Sequence, residues 1–410
     1  MKRVLVYSHD TFGLGNIRRM LDISRHLVAT HSDVSVLTVS GSPMLQAFRI
    51  PPRVDYIKLP CLARSVDGTY DSKFLKLRYP EIIRLRANLL VSAILDFAPD
   101  LILVDKKPFG VSNELRPALE LLQRRGARPK LVLLLRDILD SPDVTANVWR
   151  RNRYHEALAH FYDRVLVVGS REIFDLGSEY GFPAASAAKL EFCGYLRREP
   201  GVRSREEVRD ALRVGDDPMV LVTAGGGEDG YRLLSTSLRA LAHASACAPV
   251  RALLVCGPEM SEQRRRRIHA AAAGRAHLLV QDFNDDMMGC MDAADLIVCM
   301  GGYNTLCEVL TLHKRAIVVP RVVPVQEQWM RAERMDRLGL LRAIHPDRLT
   351  PAELGRAIRE ELSLSNVRPS RLYEVDLGGM GRVAEGIYEL LAQAAEADGE
   401  LELAHQVGGQ

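Results

Sequence analysis

The chain has 410 residues, 47% of them hydrophobic and 26% charged, with a formal net charge of +3. That length argues for two domains rather than one core, the composition is that of an ordinary globular protein, and the small charge gives no general reason to expect nucleic acid as a partner. Seven cysteines without a CxxC pair read as reduced core residues, no apolar window reaches the roughly 18 residues of a membrane span, and a strand starting almost at Met1 leaves no room for a signal peptide; a soluble cytoplasmic protein is expected.

Val4 to Tyr7 is a compact apolar strand. After it come Ser8, His9, Asp10, Thr11, Phe12, Gly13, Leu14, Gly15 and Asn16, then a helix through Leu21, Ile23, Leu27 and Val28. The GLG turn alone is a weak signal, since any tight strand-to-helix turn uses glycine. The density of polar groups beside it is less usual. Val34 to Val39 and Asp55 to Leu59 give further strands, and 61–71 is polar and irregular. Phe74 to Phe97 then reads as a long amphipathic helix flanked or studded by Lys73, Lys76, Arg78, Arg84 and Arg86. Lys73, Phe74, Lys76, Arg78 and Tyr79 either border an acceptor cleft, touch a membrane surface peripherally, or form a solvated helix face.

Leu101 to Val104 ends at Asp105, and Leu131 to Leu135 ends at Arg136-Asp137. A carboxylate past a buried strand serves as a helix cap or as a site residue; Asp105 reads as structural, while Asp137 is open between the two. Val165 to Val168 and a short strand near Phe192 close the first half.

Glu199 to Asp217 is charged and reads as a linker plus the first helix of a second domain. A new strand series follows. Met219 to Thr223 leads to Gly225-Gly226-Gly227, Ala252 to Val255 to Cys256-Gly257-Pro258, and His277 to Val280 to Asp282-Phe283. Leu296 to Met300 leads to Gly301-Gly302 and a helix, and Ala316 to Val319 to Pro320 and the polar cluster Gln326-Glu327-Gln328. Strands alternating with helices imply parallel sheets. In such sheets ligands lie outside the carboxyl ends of the strands, where glycine turns feed helix N-termini suited to phosphate. The four arginines from Arg264 to Arg267 read as a solvated face.

The fold class is therefore α/β, two doubly wound Rossmann-like domains with their strand ends facing across a cleft, a common place for a ligand. The expected boundaries are 1–195 and 196–375, then a C-terminal helix over 376–392 and a disordered tail over 393–410.

As an ordered set, GGG, CGP, DF, MGGYNTLCE and P-x6-EQ resemble the donor-binding domain of GT-B glycosyltransferases. The resemblance is closest to the group containing the peptidoglycan N-acetylglucosaminyltransferase, whose C-terminal domain is of the family 28 type. It is strongest from Met219 to Ala332, with weaker support from SHDTFGLGNIRR. It implies an inverting, metal-independent transferase, without cofactor, that moves a hexosyl or N-acetylhexosaminyl group from a nucleotide diphosphate, UDP above all, to a hydroxyl or amine acceptor.

On that resemblance Gly225, Gly226, Gly227 and Gly257 let backbone approach the diphosphate, and Gly301, Gly302, Asn304 and Thr305 present helix N–H groups to it. Glu308 takes the place of the acid that holds the ribose hydroxyls, and Phe283 lies beside the base. Glu327 and Gln328 resemble the pair that reads the donor sugar. In the acceptor-side loop of Gly13, Gly15 and Asn16, Asn16 stands where the family commonly has a histidine, and asparagine cannot act as a general base. His9, Asp10 and Asp137 are the candidate catalytic bases, with His9 or Asp10 favoured. Two other readings share the architecture: a sugar-nucleotide 2-epimerase or hydrolase, and a catalytically silent sugar-nucleotide binding protein. The acceptor, the donor sugar and the oligomeric state are not written in these residues.

Overall fold

The computed structural model describes residues 1–9, 15–64, 70–126, 129–244, 250–364, 372 and 374–407. The chain divides into two compact units, unit 1 of Met1–Gly194 with Gly378–Gln410 and unit 2 of Tyr195–Leu377.

In unit 1, β1 (Lys2–Ser8) and α1 (Gly15–Thr30) are followed by β2 (Val34–Ser40) and β3 (Val54–Lys58). The stretch expected to be irregular instead contributes β4 (Leu62–Arg64) and β5 (Tyr70–Ser72), which pair antiparallel. Then come α2 (Tyr79–Phe97), β6 (Leu101–Asp105), α3 (Arg116–Arg124), β7 (Lys130–Arg136), α4 (Pro142–Arg151), α5 (Tyr154–Phe161) and β8 (Arg164–Val168). The short helices α6 (Leu176–Glu179) and α7 (Ala184–Ala187) precede β9 (Leu190–Phe192). The main sheet is parallel, in the order β3-β2-β1-β6-β7-β8-β9. Its central strands are covered on both faces, which is why they read as unbroken apolar runs: Val4 to Tyr7 and Leu101 to Val104 are 0–1% exposed.

Unit 2 opens with α8 (Arg205–Ala211), whose N-cap Ser204 and Glu207 close a capping box. Its series is β10 (Met219–Thr223), α9 (Tyr231–Ala244), β11 (Arg251–Val255), α10 (Glu262–Ala272), β12 (Leu278–Gln281), α11 (Met287–Ala293), β13 (Leu296–Cys299) and α12 (Tyr303–Thr311). The series ends with β14 (Ala316–Val318), α13 (Glu327–Arg337), β15 (Arg342–Ala343) and α14 (Pro351–Ser363). Its sheet is parallel in the order β12-β11-β10-β13-β14-β15.

α15 (Gly379–Val407) belongs to unit 1. The helix expected over 376–392 runs from Gly379 to Val407, and residues 408–410 of the expected tail lie outside the described residues. Tyr388 docks it: the ring stacks on His31 at 3.7 Å, lies 3.9 Å under the Lys2 ammonium, and its hydroxyl donates to Asp33 Oδ2 at 3.2 Å. α2 starts at Tyr79 rather than Phe74, because Pro80 suits a first turn and Glu81 Oε2 accepts the Arg78 N–H at 3.0 Å. Among the described residues no helix is long and apolar enough to cross a membrane.

A buried polar network ties β1, α2 and the segment after β6. Arg86 Nε and Nη2 donate to Glu114 Oε2 and Oε1 at 2.6 and 2.7 Å, and both side chains are fully buried. The Tyr7 hydroxyl donates to Glu114 Oε1 at 2.6 Å and accepts the Val111 N–H at 2.8 Å. The same segment holds Lys106, Ser112 and Asn113 at φ of 72°, 50° and 63°, strain that clusters near functional edges. Removing one partner strands the other charge. Arg86→Ala is expected to cost about 3–5 kcal/mol in urea unfolding, and pairing Arg86→Met with Glu114→Leu to recover much of that loss.

Candidate functional site

The sequence-derived donor residues lie in unit 2, at the carboxyl ends of its strands. Beyond β10, Gly225 (φ +64°) and Gly227 (φ +98°) fold a turn that packs backbone against backbone on Gly257 (φ +91°), beyond β11. A Cβ on Gly227 would lie 2.3 Å from Cys256 O, and one on Gly257 2.4 Å from Gly225 O. Glu259 N–H to Gly226 O at 2.8 Å and Gly257 N–H to Asp282 O at 3.0 Å lock the two turns to the strand-end loops beside them. Glycine is thus required sterically at both turns, and the result is a surface of bare peptide.

Beyond β13, Gly301, with its φ of +72° and tight approach to Val318, turns the chain into α12. Gly302 is the N-cap and provides no side-chain cap, with open space where a Cβ would stand. The first turn of a nine-residue helix therefore points its N–H groups outward from the sheet edge. Asn304 and Thr305 lie in that turn, and Glu308, 3% exposed, lies one turn on from Asn304. Glu327 begins α13 and is 6% exposed. Gln328 is half-buried, and its Oε1 accepts the Arg321 N–H at 3.0 Å, bracing the loop between β14 and α13. Phe283 is 60% exposed, and lines a pocket of about 620 Å³ with Val202, Arg203, Gln281, Asn284, Asp285 and Asp286.

Arg198 and Arg331, absent from the sequence reading, and Tyr303, quoted there only within a motif, join this edge. Arg198, 5% exposed, donates from Nη2 to Asn304 Oδ1 at 2.5 Å, and its N–H reaches Thr311 Oγ1 at 3.1 Å. Tyr303 stacks on Tyr195 at 6.0 Å, and the fully buried Arg331, one turn beyond Glu327, lies 5.6 Å from the Tyr303 ring. In the sequence Arg198 is one more charge just before the charged segment 199–217 and Arg331 one more on a polar helix, and no local pattern marked either.

Of the residues expected on an acceptor side, all in unit 1, Asp10 and Gly13 lie outside the described residues. Gly15 opens α1 and Asn16 follows it. His9 is 3% exposed at the end of β1, and its Nδ1 has no hydrogen-bond partner among the described residues. Burial first, then the charges of Lys106, Lys107, Arg86 and Arg136, hold its pKa well below the ordinary histidine value, so the imidazole is neutral. Asp137 is fully buried, with Oδ1 accepting the Ile138 N–H at 2.8 Å. Asp105 is ion-paired with Arg19 at 2.6 Å in the interior. Burial pushes the thiol of Cys256 up to about 11 and that of Cys299 to about 12, which favours the protonated form near neutral pH.

Residues 219–371 match the glycosyltransferase family 28 C-terminal domain. An uncharacterised glycosyltransferase of Methanopyrus kandleri is 28% identical over 169 residues, 41% of this chain and 45% of that protein. The UDP-N-acetylglucosamine–N-acetylmuramyl-(pentapeptide) pyrophosphoryl-undecaprenol N-acetylglucosamine transferase of Acidithiobacillus ferrooxidans is 26% identical over 269 residues, 64% of this chain and 71% of that one. The chain thus spans less than half of the first relative and under three quarters of the second. Among solved structures, Acinetobacter baumannii MurG is 19% identical with a TM-score of 0.61, over 95% of this chain and all of that one. The UDP-GlcNAc 2-epimerase of Methanocaldococcus jannaschii is 11% identical with a TM-score of 0.61, over 95% of this chain and 100% of that one. At those identities the likeness establishes the fold, which is GT-B.

The stacked glycine turns give a direct test. Gly257→Ala forces a Cβ into Gly225 O at a left-handed φ, and is expected to destabilise unit 2 by roughly 2 kcal/mol or more, read in urea unfolding.

Proposed function

We propose that this glycosyltransferase, whose second unit carries the family 28 C-terminal domain, moves the sugar of a UDP-linked donor to a hydroxyl acceptor with inversion. The observation that supports this most is the convergence, at one strand edge of unit 2, of two bare-backbone glycine turns, the uncapped N-terminus of α12 and the buried carboxylate Glu308. A diphosphate needs N–H donors and positive potential without bulk, which those turns and the helix end supply. Arg198, held on Asn304 in the first turn of α12, adds a guanidinium there. Together they meet the negative charge that grows on the leaving diphosphate, so the chemistry runs without a metal. The name of the Acidithiobacillus ferrooxidans relative supports UDP as the nucleotide.

Glu308 holds the ribose hydroxyls as paired acceptor bonds, the Phe283 pocket takes the base, and Glu327 reads the sugar. Gln328 braces the loop beside Glu327, which makes its contribution to sugar recognition one of placement. On the acceptor side His9, neutral and at the end of a central strand, takes the proton of the attacking hydroxyl as it closes on the anomeric carbon.

Unit 1 exposes Phe74 (67%) and Leu75 (47%) between Lys73 and Lys76, with Leu85 and Leu89 exposed on α2. On our reading the exposed Phe74 and Leu75, with the lysines on either side, make peripheral contact with an anionic bilayer. Phe74→Glu with Leu75→Glu is expected to abolish co-sedimentation with anionic phosphatidylglycerol vesicles and leave UDP binding unchanged; equal sedimentation of variant and parent removes the contact.

Calorimetry with UDP tests the donor reading. Glu308→Ala should weaken binding by about ten-fold or more, the loss of a charge-assisted hydrogen-bond pair. Glu327→Ala should change discrimination among UDP-sugars while UDP affinity holds, and unchanged affinity in the Glu308 variant removes that residue from the site. A mass-spectrometric screen of donors and acceptors identifies the product; epimerised sugar without any acceptor would replace transfer by epimerisation.

A further inference from the structure

We infer that Asn16 is the positioning residue of His9, holding that base's peptide in place, rather than a lost base at position 16. The inference rests on the reading of His9 as the proton acceptor.

The geometry is a closed ring of hydrogen bonds. Asp105 Oδ2 accepts the His9 N–H at 3.2 Å, and Asp105 Oδ1 accepts from Arg19 Nη2 at 2.6 Å. The same Nη2 donates to Asn16 Oδ1 at 3.2 Å, and Asn16 Nδ2 donates to the His9 carbonyl at 2.8 Å. Both peptide groups of His9 are therefore held, one from β6 and one from α1. Arg19 and Asp105 are each 1% exposed, so the ring works away from water, where hydrogen bonds are strong and lost partners costly. Asn16 and Arg19 are three apart on α1, which places them on one face of the helix.

Asparagine suits this place for a stereochemical reason. One planar amide carries a donor for the His9 carbonyl and an acceptor for Arg19. Aspartate would face that carbonyl with a second acceptor and set another carboxylate near Asp105. Histidine would aim its two nitrogens apart and could not span the same pair of partners. The imidazole feels the charges of Lys106 and Lys107 after β6, Arg86 of α2 and Arg136 at the end of β7, while Asp105 holds its peptide N–H and Arg19 pairs with Asp105. In that cationic, buried surrounding the ring is unprotonated before an acceptor arrives. Movement of the His9 peptide towards water would return it to an ordinary imidazole.

The test uses the full chain with a UDP-sugar and the acceptor found in the screen, in four variants. His9→Gln should abolish transfer. Asn16→Ala should lower kcat by 10- to 100-fold, the scale of a misplaced catalytic group, with donor affinity by calorimetry unchanged. Its acidic limb in the pH–rate profile should rise from well below 6.5 towards that ordinary histidine value. Asn16→His should fare no better than Asn16→Ala. If Asn16→Ala fails to fold, Asn16→Asp, which keeps the shape and loses the donor, replaces it. Imidazole NMR, with the His9 signal assigned by its loss in His9→Gln, should show the same upward pKa movement without any need for turnover. Asn16→His faster than the parent overturns the inference, because residue 16 would then be the base position. So does an Asn16→Ala enzyme with unmoved rate and His9 signal while His9→Gln is inactive. A fully active His9→Gln enzyme instead marks failure of the base reading, and the inference falls with it.

Discussion

A parallel strand covered on both faces can carry polar side chains only where it ends. That constraint organises both units. In unit 2, Met219 to Thr223, Leu253 to Val255 and Leu296 to Cys299 are almost wholly withdrawn from water. Every group able to meet a charged ligand is therefore pushed to the loops beyond them, and parallel pairing sends those loops to one edge. The strand order adds a second restriction. β10 is flanked by β11 and β13, and β1 by β2 and β6, so the loops after β10 and β13, and after β1 and β6, diverge to opposite faces and open a crevice at the edge. The glycine turn and α12 stand at the first of these places, His9 and Asp105 at the second.

The two edges solve different electrostatic problems. Unit 2 offers partial charges fixed in the backbone: amide groups in stacked turns and the end of a helix, with Arg198 anchored on Asn304. Such dipoles need no reorganisation when charge develops, which suits the leaving diphosphate of the proposed reaction. Unit 1 surrounds one imidazole with full charges, Lys106, Lys107, Arg86 and Arg136, and withdraws it from water. There the surroundings tune a proton rather than cradle an anion.

Much of this was legible in the residues. Central strands such as Leu101 to Val104 announce themselves because burial on both faces removes any alternation, and Gly225 to Gly227 because only glycine survives a Cβ position 2.3 Å from a carbonyl. The short strands β4, β5 and β15 were illegible for the opposite reason: two or three residues carry no period, and pairing across the sequence sets their state. The start of α2 was misplaced because apolar spacing continues through Phe74 and Leu75, both exposed, while Pro80 and Glu81 fix the real first turn. The site was half readable. Motifs marked Glu308 and the glycines, whereas Arg198 and the Asn16–Arg19–Asp105 ring depend on contacts between residues up to 106 apart, which no local pattern records.

The return of α15 to unit 1 makes unit 2 an insertion between residues 194 and 378 of its host. A ribosome delivers the chain in order, and domains form as their residues emerge. Unit 2 is then complete while unit 1 still lacks the helix whose Tyr388 closes over His31 and Lys2. The inserted unit can therefore close before its host, and a nascent chain halted before Gly379 would carry unit 2 whole beside a unit 1 still missing its docking helix.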